Sequence, residues 1–281
     1  MSWSETREKI VSELHHSAPP SPPAATSSQP QPLQPQPTLE AVREGREEER
    51  NSRLLGCRLS LYLSKKKDRE SLAKIISFHC WISIREWLES QNEGSVLYVA
   101  LGSEVSLSQK DVTELALGLE LPEVPFFWVL RKLSESFQVP DGFEERVKGR
   151  GNVWKGWAPQ LNIPNHESVG GFLTHCGWSS CIEELMFGHP LIMPSFLVDQ
   201  GLNARVMEDR NVGIEIPRND PDRSYTRDLV AQCVRLIMVE NEGKMFGEKA
   251  KEMSGIFRDR ELNDGYVGNF IDYLENNRHN C

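Results

Sequence analysis

From Trp81 onward, short continuous apolar runs alternate with longer stretches whose apolar residues recur at helical spacing, and that alternation restricts the fold more than any other feature of the chain. Ser95 to Leu101 (SVLYVAL) has the length and composition of a buried strand, and Lys110 to Leu121 carries a helical pattern. After Pro125, FFWVL is a second strand; NVWKGW is a short third, and VGGFLTH from Val169 a fourth. A helix follows Gly177, then a short strand at PLIM from Pro190, a helix from Gly201 and a strand at GIEI from Gly213. Three helical stretches close the chain, the last running from Tyr266 to Asn276. Apolar strands separated by helices pair in parallel, because each crossover helix covers a face of the sheet. The expected fold class is therefore α/β, a Rossmann-like parallel sheet occupying residues 81–281 and large enough to bury its own core.

Residues 1–80 have another character. Eight of the 17 prolines fall between positions 17 and 38 among Ser, Gln and Ala, and a charged run from Glu40 to Arg50 follows. Such sequence buries too little apolar surface to offset its ordering entropy, so a low-complexity, mostly disordered region is expected; plain linker fits better than a proline-rich ligand for another module. The formal net charge of −9 argues against nucleic acid or an anionic membrane as partner. The six cysteines contain no C-x-x-C pair, which suits neither a zinc site nor a disulfide scaffold and points to reduced thiols. The N-terminal MSWSETREKI lacks the apolar core of a signal peptide, and no run of about 18 apolar residues occurs, so a cytoplasmic protein without a membrane span is expected.

Open parallel sheets bind ligands beyond the carboxyl ends of their strands, where loops enter helix N-termini. In GGFLTHCGWSSCIEELMFG that junction falls at His175 to Ser180. Gly177 permits close backbone approach, and Ser179 and Ser180 add hydroxyls to the N–H groups at the positive end of a helix dipole, a combination that suits phosphate. His175 can donate to a diphosphate oxygen. Glu183, expected on the first helical turn, can accept from two ribose hydroxyls; on spacing alone, Ser180 and Glu183 read first as a capping box.

The 44 residues from Trp157 to Gln200 resemble the signature box of plant secondary-product glycosyltransferases, a UDP-dependent family with the GT-B fold. The matching positions are Trp157-Ala158-Pro159-Gln160, His166, Gly170, Phe172, His175, Gly177-Trp178, Ser180, Glu183, Gly188, Pro190, Pro194 and Asp199-Gln200. The resemblance implies that Trp157 stacks on uracil, the Ala158 backbone reads its edge and Gln160 supports the ribose or its loop. It assigns His175, Ser179 and Ser180 to the phosphates and Glu183 to the ribose. Asp199, Gln200 and the Trp178 backbone fall to the hydroxyls of the transferred sugar. EWLESQNEGSVLYVALGSE from Glu86 is also similar to the family and sets Ser103 facing the diphosphate, so the likeness runs from Trp81 to Arg278. DQGLNAR and the GWSS loop resemble the branch that adds sugars to already glycosylated flavonoids or terpenoids. Plainer readings stand beside these: Trp157 as a core aromatic, His166 as a structural residue, Asp199 as an N-cap. Asp220-Pro221-Asp222 has a D-x-D form but reads as a turn, and His15-His16 lacks a strand and loop to make it a base.

The resemblance implies direct displacement with inversion, no metal or other cofactor, and a UDP-sugar donor, glucose from Gln200. In that family a histidine and an aspartate of an N-terminal domain deprotonate the acceptor. Residues 1–80 do not resemble such a domain. The expectation is thus a UDP-sugar transferase by descent that binds donor and transfers poorly to a small-molecule acceptor; the alternative is a UDP-sugar-binding or interaction protein without catalysis.

Overall fold

The computed structural model describes residues 80–102, Val105, 107–130, 138–196, 198–219 and 224–277. A helix over 80–89 (α1) leads into β1 (Val96–Ala100), α2 (Gln109–Glu120), β2 (Phe126–Val129), α3 (Phe143–Arg146) and β3 (Gly151–Trp154). The second half runs through β4 (Val169–Thr174), α4 (Trp178–Phe187), β5 (Leu191–Met193), α5 (Val198–Asp209), β6 (Gly213–Glu215) and α6 (Arg227–Met238). A 3-10 turn at Asn241–Gly243, α7 (Lys244–Arg258) and α8 (Arg260–Asn276) follow.

The described residues form a six-stranded sheet in the order β3-β2-β1-β4-β5-β6, with every neighbouring pair parallel. This is the Rossmann-like α/β arrangement expected from the alternating pattern. Central strands are apolar on both faces because helices cover both: Val96, Leu97 and Val99 of β1 and Phe126, Phe127 and Trp128 of β2 are all at or below 1% exposure. Two helix starts differ from expectation. α5 begins at Val198, three residues before Gly201. α8 begins at Arg260, six before Tyr266, because the Asp259 side chain accepts from the Leu262 N–H at 2.9 Å and caps the helix there.

On one face α2 packs against α6. A capping box between Ser108 and Asp111 opens α2, and Thr226 caps α6. Val112, Leu115, Ala116 and Leu119 of α2 and Leu229, Val230, Cys233 and Val234 of α6 are buried. Glu114 pins the two helices. Its Oε2 accepts from the backbone N–H of Arg227 at 2.7 Å and from Nε at 3.1 Å, while Oε1 accepts from Nη2 at 2.6 Å. These bonds hold the Glu114 carboxyl below its ordinary value of 4.5, against the opposing effect of partial burial.

A folded-state pKa below the unfolded one contributes stability that is present above about pH 4.5 and lost as pH falls through the folded value. Because Arg227 is partly exposed, the fork is worth on the order of 1 kcal/mol. Glu114→Gln is expected to lower Tm by a few degrees at pH 7 in calorimetry, with the gap to the parent narrowing as pH is taken below 4.

Candidate active site

Strand order places the site. The chain leaves β1 towards β2 on one side and leaves β4 towards β5 on the other, so the loops at the carboxyl ends of these adjacent strands diverge and open a crevice. Gly102 follows β1 with φ of +69°, and His175, Cys176 and Gly177 follow β4. The His175 ring lies between the two glycines. A Cβ on Gly102 would come within 2.5 Å of Cε1 and 2.8 Å of Nε2, and one on Gly177 within 2.6 Å of Nε2. His175 is 8% exposed, so its imidazole is clasped by backbone on two sides.

Cys176 turns the chain with a left-handed φ of +64°, which strains a residue bearing a Cβ. Its surroundings hold it there. The Cys176 N–H donates to Thr174 Oγ1 at 3.3 Å, and its carbonyl accepts from Asn203 Nδ2 on α5 at 3.1 Å. The thiol packs 3.6 Å from Cys181 Sγ and 3.4 Å from Met193 Sδ. The Cys181 contact and burial push the Cys176 thiol far above its ordinary range, so it stays protonated and is no nucleophile.

α4 begins at Trp178 with Gly177 as its N-cap, and no side chain caps it. The expected Ser180–Glu183 capping box is therefore not formed: Ser180 is the third helical residue and Glu183 lies in the second turn. The reversal at Cys176 starts the helix before Ser180 can serve as its cap. The first N–H groups consequently lack a side-chain acceptor in the cap and face the crevice mouth. Ser179 and Glu183 are i,i+4 neighbours and Ser180 and Glu183 i,i+3, so the three share a helix face. Ser179 and Glu183 are exposed, while Cys181, Glu184 and Leu185 face inward. The adjacent carboxylate is unavailable to a ligand: burial pushes the Glu184 carboxyl upward, and it bonds His189 Nδ1 at 2.9 Å.

β3 ends at Trp154, three strand spacings from β4, roughly 14 Å across the sheet. The chain then turns back along the carboxyl edge. Ala158 and Ile163 join one apolar cluster with Phe172, Cys176 and Cys181, which ties this segment to the phosphate-type loop. Trp157 is 53% exposed and thus not a core aromatic; Trp178 is equally exposed at the start of α4. Gln160 is exposed in the following turn. His166 is structural, its Nδ1 2.9 Å from Ser168 Oγ where the chain enters β4.

Asp199 and Gln200 sit on the first turn of α5, after β5. Asp199 is exposed and lies inside the helix, so it is not the N-cap. Gln200 is 3% exposed, and its Oε1 accepts from the Phe196 N–H at 2.9 Å. Ser103 lies outside the described residues, as do Asp220-Pro221-Asp222 and His15-His16. Sequence reasoning passed over Gly102, Thr174, Asn203 and Trp154, which support the site residues. Asn203 was visible only as part of DQGLNAR, and nothing local shows that it reaches back to Cys176.

The Rossmann-like sheet carries a glycine-clasped histidine and an uncapped helix N-terminus at its switch point, the build of an anion-binding loop. The sequence profile of the UDP-glucoronosyl and UDP-glucosyl transferase family matches residues 80–265, and the chain belongs to that family. Among curated relatives, UDP-glycosyltransferase 91D2 of Stevia rebaudiana is 54% identical over 202 residues, 70% of this chain and 43% of that protein. Soyasaponin III rhamnosyltransferase of Glycine max is 48% identical over 199 residues, 70% of this chain and 42% of its own length. The chain thus spans less than half the length of the curated relatives it matches. Among solved structures, Phytolacca americana UGT2 complexed with UDP-2fluoro-glucose and pterostilbene aligns with a TM-score of 0.56 at 37% identity, over 60% of this chain and 38% of that one. UDP-glucose: anthocyanidin 3-O-glucosyltransferase in complex with UDP gives a TM-score of 0.57 at 36% identity, over 62% of this chain and 38% of that one. The family takes UDP-sugar as donor and is metal-independent. Among the described residues no helix is long and apolar enough to cross a membrane.

Gly102→Ala would strain the backbone at positive φ and drive a methyl into the His175 ring. An unfolding free energy lower by about 1–3 kcal/mol is expected in urea titration.

Proposed function

We propose that the crevice is the donor site of a glycosyltransferase that passes a hexose from a UDP-sugar to a hydroxyl of a small-molecule acceptor. The clasp of His175 between Gly102 and Gly177, beside the uncapped start of α4, carries this reading. There His175, Ser179, Ser180 and the helix N-terminus hold the diphosphate and stabilise it as leaving group, with the helix dipole adding to the pull on the departing charge. Glu183, on the same helix face as the serines, accepts from the ribose hydroxyls. Trp157 stacks on uracil, the Ala158 backbone meets the uracil edge, and Gln160 supports that turn. Asp199, Gln200 and the Trp178 backbone hold the sugar, with glucose as the proposed donor.

The acceptor class we favour is a flavonoid or terpenoid that already bears a sugar. Relatives named for soyasaponin III and for cyanidin-3-O-glucoside support it. Free thiols at Cys80, Cys176, Cys181 and Cys233 support a cytoplasmic setting.

A second reading, a UDP-sugar-binding protein without transfer, is favoured by one observation. Among the described residues the histidines other than His175 are committed elsewhere, His166 to Ser168 and His189 to buried Glu184, so neither is placed as a base for an acceptor. Release of UDP from UDP-glucose in the presence of flavonoid glycosides separates the two readings, since only a transferase turns over.

Calorimetric titration with UDP tests the shared part. Trp157→Ala is expected to weaken binding roughly 5- to 150-fold, the range for loss of one base–aromatic stack. Glu183→Ala should weaken UDP more than inorganic pyrophosphate, which has no ribose. Unchanged UDP affinity in both variants would falsify the site assignment.

A further inference from the structure

Trp157 presents a large ring to solvent, and its ring has little packing to fix its direction: more than half of the residue is exposed. An exposed ring is aimed by its backbone, so whatever holds that backbone sets the plane on which a base would stack. On one side the anchor is packing, since Ala158 is only 6% exposed and Pro159 is buried. On the other it is a single hydrogen bond, in which the indole Nε1 of Trp154 donates to the Trp157 carbonyl at 2.9 Å.

Trp154 is itself well seated. It ends β3 and stacks at 6.3 Å between centroids on Phe127, a fully buried residue of β2 that in turn meets Trp87 of α1 at 5.7 Å. The intervening Gly156 passes so close that a Cβ there would lie 3.2 Å from the same indole nitrogen. The W-K-G-W segment therefore folds tightly around the Trp154 N–H, and its geometry is transmitted from the core to the exposed ring.

We propose that Trp154 is a positioning residue for nucleobase recognition, fixing the Trp157 platform through the indole N–H rather than touching the ligand. The inference rests on the donor-site reading above. It deepens that reading by assigning base selectivity to a hydrogen bond between the two tryptophans. Loss of the bond frees the loop to rotate, which lowers affinity for a uracil-bearing ligand and leaves the diphosphate contacts at His175 and α4 intact.

The test uses the full chain and calorimetry with UDP, ADP and inorganic pyrophosphate as probes. Trp154→Phe keeps an aromatic ring against Phe127 and removes the donor together with part of the two-ring system. The expected result is a loss of UDP affinity of roughly 3- to 10-fold, a narrower preference for UDP over ADP, unchanged pyrophosphate binding, and no further loss when Trp154→Phe is added to Trp157→Ala. Equal weakening of UDP and pyrophosphate would assign Trp154 a merely structural role and overturn the proposal. If Trp157→Ala weakens UDP binding and Trp154→Phe does not, the positioning role fails while the donor site stands. If Trp157→Ala has no effect, both fail. Should Trp154→Phe not fold, replacing the indole by a benzothiophene-bearing amino acid keeps the two-ring shape without the N–H and gives the same comparison.

Discussion

The site depends on a close approach of backbone to one imidazole. His175 occupies a slot that exists only because positions 102 and 177 have no Cβ, and those positions belong to loops that leave neighbouring strands in opposite directions. Divergence at the switch point opens the crevice, and the glycines let a ring fill its floor. In the proposed donor site, fixing that ring in advance means a diphosphate meets an oriented donor and does not have to order one.

The rest of the loop is built to sustain that arrangement. Cys176 takes a positive φ that a Cβ-bearing residue resists, and the resistance is overcome by a buried thiol contact, a bond from its N–H to Thr174 and a bond from Asn203 to its carbonyl. The reversal also starts α4 early enough that glycine, not serine, is its N-cap. A serine cap would have used its oxygen on the helix's own N–H groups. With glycine there, those groups stay directed at the crevice.

Charge follows the same division. Glu183 and Glu184 are adjacent and have opposite fates: one faces outward with the serines, the other is buried and bonded to His189. Helical periodicity alone separates a residue available to a ligand from one that joins α4 to the turn before β5. The chain matches less than half the length of its curated relatives, and the segment from Trp157 to Gln200 lies within the family match.

The sequence by itself determined the parallel α/β class, because strands apolar on both faces and spaced by helices have no other economical way to bury themselves. It also made the proposed site legible, since Trp157, His175, Ser179, Ser180 and Glu183 fall in one local segment whose spacing is read without a fold. Helix starts were less legible: α5 begins three residues before Gly201, and the start of α8 turns on the single side-chain bond of the Asp259 cap. Only the tertiary structure decided which residues support the site. Gly102 meets His175, Asn203 meets Cys176 and the Trp154 indole meets Trp157 through contacts set by strand order and loop return. Strand order is a property of how distant segments pair, and no local pattern of residues encodes it.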